Sequence, residues 1–352
     1  MTRIAVLLPY RARGAGASSA LREAMESVLA DLDAHDELVA IDDGSDEEAR
    51  HLVEARASLD ARVIAIATDG SAERPAGIVA ALTLGLGAAR GDLVGRMDAD
   101  DISLPGRFAA QRALLDGDPE LGAVGAQVEL FPAPGPGMQR YVAWQNTLVS
   151  REDHARAIFV ESPLCHPSTL LRRTALDAVG GYREMAWATD YDLWLRLDAA
   201  GWGLAKVPRV LFRWRISASS MTWTHPKNAP ARFVEARACF LAPRLGARVD
   251  EAGGLQPFLV WGAGQTGRRL ARALEAHGLY ASAFVDIDPR KVGRTARGAP
   301  IIDAAEGIER ARAQSPSALV VVAVGEPGAR DLVRARLASA GLREGESFVC
   351  AA

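Results

Sequence analysis

Cysteine is scarce in this sequence. Its 352 residues include three, Cys165, Cys239 and Cys350, far apart, with no C-x-x-C pair and no Cys/His group at zinc spacing. That excludes a disulfide scaffold and a structural zinc module, and it fits reduced thiols in the cytoplasm. Long apolar runs are missing as well. Ile4–Leu8, after a single arginine, is too short for a secretory core, and no apolar stretch of membrane-spanning length follows. The expectation is a cytoplasmic protein without a membrane span. Neither sign of charge is in excess: 41 basic against 44 acidic side chains leave a net charge of -3, which excludes nucleic-acid binding by bulk charge. Internal repeats and low-complexity tracts are absent apart from one Pro/Gly-rich loop. What remains is an ordinary globular composition, 49% hydrophobic and 24% charged, in a chain long enough for about two domains.

The first half alternates strand and helix periodicities. Strands are expected at Ile4–Leu8, Glu37–Ile41, Arg62–Ala67 and Leu93–Met97, and helices at Ser18–Leu32, Glu47–Ser58 and Ile78–Ala89. Such alternation predicts a parallel α/β sheet, whose ligands gather at the carboxyl ends of the strands. Two acidic turns fall at such ends, Asp42-Asp43-Gly44-Ser45 and Asp98-Ala99-Asp100-Asp101. The middle is less regular. Phe131–Gly137 reads as a surface loop or hinge, because prolines and glycines at that density end regular structure. Beyond it come an expected strand at Ser168–Arg172, a helix at Arg173–Val179, the turn Gly180-Gly181-Tyr182, a helix over Asp190–Ala200, a strand at Arg209–Arg215 and a helix at Ala229–Leu241. Pro243 and the loose Gly246–Pro257 stretch mark a boundary, giving a first domain 1–245, a linker 246–256 and a second domain 257–352. The pattern then restarts with a strand at Phe258–Trp261, a glycine turn, a helix at Arg268–His277 and strands at Ala281–Val285 and Ala318–Val324.

D-x-D spacing by itself says little, since it recurs at Asp31/Asp33, Asp98/Asp100, Asp116/Asp118, Asp190/Asp192 and Asp286/Asp288. Only the Asp98 pair follows directly on a strand of the first sheet and gains a third carboxylate, Asp101, before a helix start at Leu104-Pro105. Carboxylates crowded at a strand end repel one another unless a cation or hydrogen-bond donors compensate, and a hard divalent ion prefers such oxygens. A solvated acidic turn is the alternative. In the second domain, Gly262-Ala263-Gly264-Gln265-Thr266-Gly267 follows a strand and opens a helix, with Asp286 24 residues beyond Gly262. That is the context of a dinucleotide turn in which Gly262, Gly264, Gly267 and Asp286 hold the ligand, NAD(P) or another nucleotide. No Tyr-x-x-x-Lys and no His/Asp pair for hydride transfer accompanies it. Ligand binding or regulation is therefore expected there, against a packing unit whose glycines only permit a tight turn.

Gly77–Leu82, Ala89–Asp92 and Arg96–Asp101, together with Asp42–Ser45, Pro105–Phe108 and Gln111, resemble the donor half of the family 2 glycosyltransferases, which have the GT-A fold. His166-Pro167-Ser168, Gly180–Arg183 and Asp190–Leu197 resemble the acceptor half. The resemblance spans residues 1 to 240 in family order. It implies an α/β chain: a GT-A-type nucleotide-diphospho-sugar transferase domain, then a smaller Rossmann-like α/β domain similar to those attached to sugar-modifying enzymes. It also implies an inverting, metal-dependent transfer from a nucleotide-diphosphate sugar, UDP-linked, to a saccharide or lipid-linked acceptor in polysaccharide or glycoconjugate assembly. No nucleic acid is involved, and peripheral membrane association is compatible with it.

In the roles the resemblance implies, Asp98 and Asp100 hold a divalent Mn or Mg ion that offsets charge on the leaving diphosphate, Asp98 being shared with the ribose. Asp43 receives the base, with Asp42, Pro9 and Tyr10 beside it, and Arg215 meets the diphosphate. Asp190 takes the proton of the acceptor hydroxyl, with Asp192 as the alternative base, and His166, Gly181, Tyr182 and Trp194 lie on the acceptor side. The chain departs from the family at Arg11, Thr83, Thr189 and Ser217, where Asn, Asn, Glu and His are common. His225 is then the substitute for a third metal contact. Two other readings stay open: an NAD(P)-dependent sugar-nucleotide oxidoreductase or epimerase centred on Gly262–Gly267, and a non-catalytic sugar-nucleotide-binding module.

Overall fold

The computed structural model describes residues 2–71, 73–132, 135–216, 225–248, 256–313, 319–326 and 328–352. The chain divides into two compact units. One comprises Met1–His154, Pro163–Met185 and Asp192–Thr224, and the other Ala155–Ser162, Ala186–Tyr191 and His225–Ala352.

The first unit is built on β1 (Ile4–Tyr10), α1 (Ala15–Leu29), β2 (Glu37–Asp42), α2 (Glu47–Leu59), β3 (Val63–Ala67), α3 (Ile78–Ala88) and β4 (Leu93–Arg96). It continues with β5 (Ile102–Ser103), α4 (Arg107–Gly117), β6 (Leu121–Phe131), α5 (Pro136–Thr147), α6 (Arg151–Ala157), β7 (Leu170–Arg172), α7 (Arg173–Ala178), α8 (Thr189–Ala199) and β8 (Gly203–Arg215). Helices α6 and α8 each begin in one unit and end in the other. The eight strands order as β3-β2-β1-β4-β7-β6-β8-β5. β3, β2, β1 and β4 run parallel, and β7 turns antiparallel to β4 and β6. Every residue of β1, β2 and β4 is buried, which is why these strands read as unbroken apolar runs rather than alternating ones. Register sets Tyr10 opposite Asp42, so the carboxyl ends of β1 and β2 finish side by side.

Two expectations are corrected. The Pro/Gly stretch is a short connection: β6 runs to Phe131, and α5 starts at Pro136 with Gly135 at its N-cap. A proline in the first helical turn costs nothing, because its missing N–H has no intrahelical partner there. Residues 133 and 134 lie outside the described residues.

The second unit contains α9 (Pro230–Gly246), β9 (Leu259–Trp261), α10 (Gln265–Glu275), β10 (Ala283–Val285), β11 (Thr295–Ala296), β12 (Ala299–Ile302), α11 (Ala304–Ala313), β13 (Val320–Val322), α12 (Ala329–Ser339) and β14 (Phe348–Cys350). Helix α9 continues through Pro243 to Gly246, the second correction, since Pro243 was read as a stop. The strand order is β11-β12-β10-β9-β13-β14, parallel except for β11. The first strand of this unit, β9, thus sits in the middle of its sheet. Ser217, Trp223 and residues 249–255 of the expected linker lie outside the described residues.

Candidate active site

The carboxyl edge of the first sheet collects the acidic turns. Asp42 is buried, and its Oδ1 accepts from the Ser45 backbone N–H at 2.8 Å, closing an Asx-type turn. Asp43 N–H donates to Tyr10 O at 2.9 Å, and its carboxylate points away from that turn. Oδ1 accepts from Thr68 Oγ1 at 2.8 Å and from Ala76 N–H at 2.8 Å, and Oδ2 accepts from Gly77 N–H at 2.9 Å. Asp43 therefore ties the end of β2 to the loop before α3. Gly70 is required in that loop, because a Cβ there would lie 2.6 Å from Ala76 N and 2.9 Å from Asp43 Oδ1. Pro9 and Tyr10 are buried beside this knot, and burial with the neighbouring Asp42 charge pushes the Tyr10 phenol up.

The second turn is short of positive charge. Arg96, the buried last residue of β4, pairs with Asp98 Oδ1 at 2.5 Å and also donates to Met97 O. Burial and then the Asp98 charge push the Asp100 carboxyl up to about 6. Asp101 is 1% exposed. Its Oδ1 accepts from Arg215 N–H at 2.6 Å, and Oδ2 has no hydrogen-bond partner among the described residues. Burial, Asp98 and Asp100 hold it well above the usual carboxylate range. Arg215 fastens this turn to the end of β8: Nε donates to Asp100 O at 2.6 Å, a terminal nitrogen donates to Glu23 Oε2 at 3.0 Å, and the guanidinium lies 4.4 Å from the Phe131 ring centre. An orphaned buried carboxylate oxygen beside two crowded carboxyls fits a hard divalent cation. Among the described residues the group of three whose ligand atoms come within 4.8 Å of one another is a different one, Asp33, His35 and Asp36, ahead of β2. Arg112 and Ile4 N–H already bond those aspartates.

The Arg107 and Gln111 positions prove to be scaffold. Arg107 is fully buried between the Phe108 and Phe212 rings, with a terminal nitrogen donating to the carbonyls of Arg96, Pro167 and Thr169 at 2.8, 3.0 and 3.3 Å. Gln111 Nε2 donates to Val124 O at 2.8 Å and Ser168 O at 2.7 Å. Together they fix the turn that carries His166. Its Nε2 lies 3.3 Å from Tyr182 Oη, and the ring meets the buried Trp194 edge-on at 5.7 Å. Burial, and then Arg96, hold His166 well below its ordinary value, and burial pushes Tyr182 up to about 12. Gly181, at φ +65°, makes the left-handed turn that places Tyr182. Asp192 is buried against Arg196 Nε at 2.7 Å, while Arg196 also donates to Val179 O at 2.7 Å. It is a helix-anchoring ion pair.

Residues 6–180 match the family model of Glycosyl transferase family 2. An uncharacterized glycosyltransferase of Haemophilus influenzae is 30% identical over 198 residues, covering 56% of this chain and 70% of that protein. The chain belongs to glycosyl transferase family 2. Escherichia coli UDP-Gal:alpha-D-GlcNAc-diphosphoundecaprenol beta-1,3-galactosyltransferase is 29% identical over 201 residues, covering 56% of this chain and 69% of that enzyme. Staphylococcus aureus TarS 1-349, solved with UDP-GlcNAc, aligns over 79% of this chain and 72% of its own at a TM-score of 0.54 and 16% identity. The glycosyltransferase thus shares a GT-A-like α/β fold.

In the second unit of the glycosyltransferase, Asp190 Oδ2 accepts from Ser162 Oγ at 3.1 Å. Burial raises the neighbouring Glu161 carboxyl, opposed by Arg237 at 3.5 Å and reinforced by Asp190. His225 caps the turn Pro226–Asn228, its Nδ1 accepting from Lys227 N–H at 3.3 Å. Gly262 (φ +119°) and Gly267 are required by close packing, since added Cβ atoms would lie 2.5 Å from Ala323 O and 1.9 Å from Gly262 O; beside Gly264 there is open space. Asp286 is engaged by its own chain: Oδ2 accepts from Ala263 N–H at 3.0 Å and Lys291 Nζ at 2.9 Å, and Oδ1 from Asp288 N–H at 2.9 Å. Burial opposes its ionisation, yet those donors hold it below its ordinary value. Asp286 is thus engaged by three donors of its own unit, as Asp43 is of its loop, and a dinucleotide ribose would have to share it. Sequence reasoning missed Thr68, Gly70, Glu23 and Ser162, which act through hydrogen bonds and close approaches that only the folded chain brings together.

Proposed function

We propose that this glycosyltransferase moves a sugar, with inversion, from a UDP-linked donor to a hydroxyl of a saccharide or lipid-linked saccharide in polysaccharide or glycoconjugate assembly. The observation that carries the reading is the Asp98–Asp101 turn, where three carboxylates face too few donors at the carboxyl edge of a parallel sheet. UDP is supported by the E. coli relative, named for a UDP-sugar donor and a lipid-diphosphate acceptor, and by the UDP-GlcNAc bound to TarS. Asp98 and Asp100 would hold a divalent Mn or Mg ion. Such an ion, when bound, offsets negative charge on a departing diphosphate.

The chain's own residues do the rest. The Asp43 knot, with Asp42, Pro9 and Tyr10, receives the uracil, and Arg215 reaches the diphosphate by releasing the half-exposed Glu23. Asp190, oriented by Ser162, takes the proton from the acceptor hydroxyl as its oxygen attacks the anomeric carbon. Displacement from the face opposite the leaving group inverts that carbon. Neutral His166, Tyr182 and Gly181 line the acceptor side, the fully buried Trp194 backs the His166 ring, and Asp192 holds α8 in place. We place the reaction in the cytoplasm; among the described residues no helix is long and apolar enough to cross a membrane. The domains are taken as 1–245 and 257–352, joined by 246–256. The central placement of β9 and the glycine turn support a Rossmann-like second domain, with a packing or regulatory role rather than hydride transfer.

Thermal unfolding against UDP and NAD(H), with and without manganese, tests this, because a ligand of the folded state raises its stability. A manganese-dependent UDP shift is expected, kept in Asp190→Asn while transfer falls by about 10²–10⁴-fold. An NAD(H) shift without a UDP shift would transfer the assignment to an oxidoreductase.

A further inference from the structure

We infer that the exposed face of α10 is an electrostatic docking surface for the anionic phospholipid headgroups of a bilayer. Charge is segregated along the chain: residues 257–352 carry 13 basic against 10 acidic side chains, and residues 1–256 carry 28 against 34. Asymmetry of this kind marks an anionic partner for the basic part. Arg268, Arg269 and Arg272 stand exposed on α10, while Leu270, Ala271 and Leu274 are buried in the unit. With Gln265 and Arg297, they line an open hollow of about 330 Å³.

The one acid of α10 does not cancel this charge. Glu275 is bonded through both oxygens to Arg297, which stands at φ +49° in the turn between β11 and β12. Arg268 donates through Nε to Ala263 O at 2.8 Å. Arg269 makes no hydrogen bond or ion pair among the described residues, and Arg272 contributes only its field at Glu275. Guanidinium groups gathered side by side without carboxylates repel one another, and their fork geometry matches phosphate oxygens. The hollow is open and its helix keeps its apolar side inward, so no walls exclude water around a small ligand. A phosphate-bearing surface that meets several arginines at once suits it better. This inference rests on the second unit alone and stands or falls independently of the transferase reading.

The test is co-sedimentation of the full chain with vesicles of phosphatidylcholine alone, or of phosphatidylcholine with phosphatidylglycerol, at low and at physiological salt. Binding only to the anionic vesicles, weakened by salt, is expected. Arg269→Gln with Arg272→Gln should lose about five-fold in partitioning per arginine, with an unchanged melting temperature. Glu275→Gln, which releases Arg297, should bind the anionic vesicles more tightly, with an unchanged melting temperature and no sedimentation without vesicles. Equal binding to both vesicle types, or a double variant that binds like the wild type, overturns the inference. Inorganic pyrophosphate stabilising the wild type but not the double variant, without any vesicle preference, overturns it in favour of a soluble diphosphate.

Discussion

Both sheets end in an acidic turn after a buried parallel strand, yet the two turns differ in what meets the acid. After β10, Asp286 is bonded by two backbone N–H groups and Lys291. After β4, Asp98 pairs with Arg96, Asp100 takes a bond from its own backbone N–H, Asp101 takes the backbone N–H of Arg215, and one buried Asp101 oxygen has no partner among the described residues. An acid at a strand end that its own chain leaves unsatisfied thus points to a ligand. Asp43 stands between the two cases: its three donors all come from one loop and its neighbour Thr68, so it shapes the donor edge it lies on.

The largest effect should come from the unsatisfied turn. Asp100→Asn is expected to lower transfer by at least about 10³-fold, since it removes a ligand of the ion that offsets the leaving diphosphate. Its melting temperature should hold or rise, because a crowded carboxyl is gone. Transfer assayed by UDP release, beside a thermal melt, checks both; a variant that unfolds while its residual folded fraction stays fully active would place Asp100 with the structural acids.

A saturated charge should behave in the opposite way. Arg107→Met leaves the carbonyls of Arg96, Pro167 and Thr169 without their shared donor, and breaking a buried charged network of this kind costs about 3–5 kcal/mol. Asp286→Ala, which takes the acceptor away from the Ala263 and Asp288 N–H groups and from Lys291 Nζ, should cost about 2 kcal/mol and leave kcat unchanged in the folded protein. Urea unfolding of each variant measures the loss. Loss of transfer in a well-folded Asp286→Ala protein would show that the second turn shares the chemistry after all.

The alternation of β1 to β4 with α1 to α3 was legible because fully buried parallel strands leave continuous apolar runs, and the Asp98 turn was legible from its place after one of them. Strand β6 was not. It contains Gly122 and Gly125, where added Cβ atoms would lie 2.8 Å from Trp202 Cβ and 2.7 Å from Leu164 Cδ2. These glycines record close neighbours from distant sequence, which no local period reveals. Asp286 fits the dinucleotide spacing and still fails as a free acceptor, since Lys291 and Ala263 bond it only once the turn has folded. Asp190 and Asp192, two residues apart on one helix, likewise read alike until Arg196 and Ser162 part them.

The smallest effect concerns a cation that is satisfied once and buried all the same. Lys206 on β8 is 1% exposed, and its ammonium donates to Gln145 O. Burial pulls its ionisation from 10.5 down to about 7. Above pH 7 the folded chain therefore holds fewer protons at this site than the unfolded chain, whose lysine stays charged to about pH 10. Stability must rise with pH across that window, because the state that binds more protons is favoured at lower pH. Lys206→Met keeps most of the side-chain volume and removes the amine. It should raise the melting temperature at pH 7 by a few degrees, the effect of about 1 kcal/mol in a chain of this size, and flatten the rise between pH 7 and pH 10. Melts of both proteins across that range decide it: an unchanged slope in the variant would mean that the buried amine stays charged, held by Gln145 as firmly as Asp286 is held by its donors.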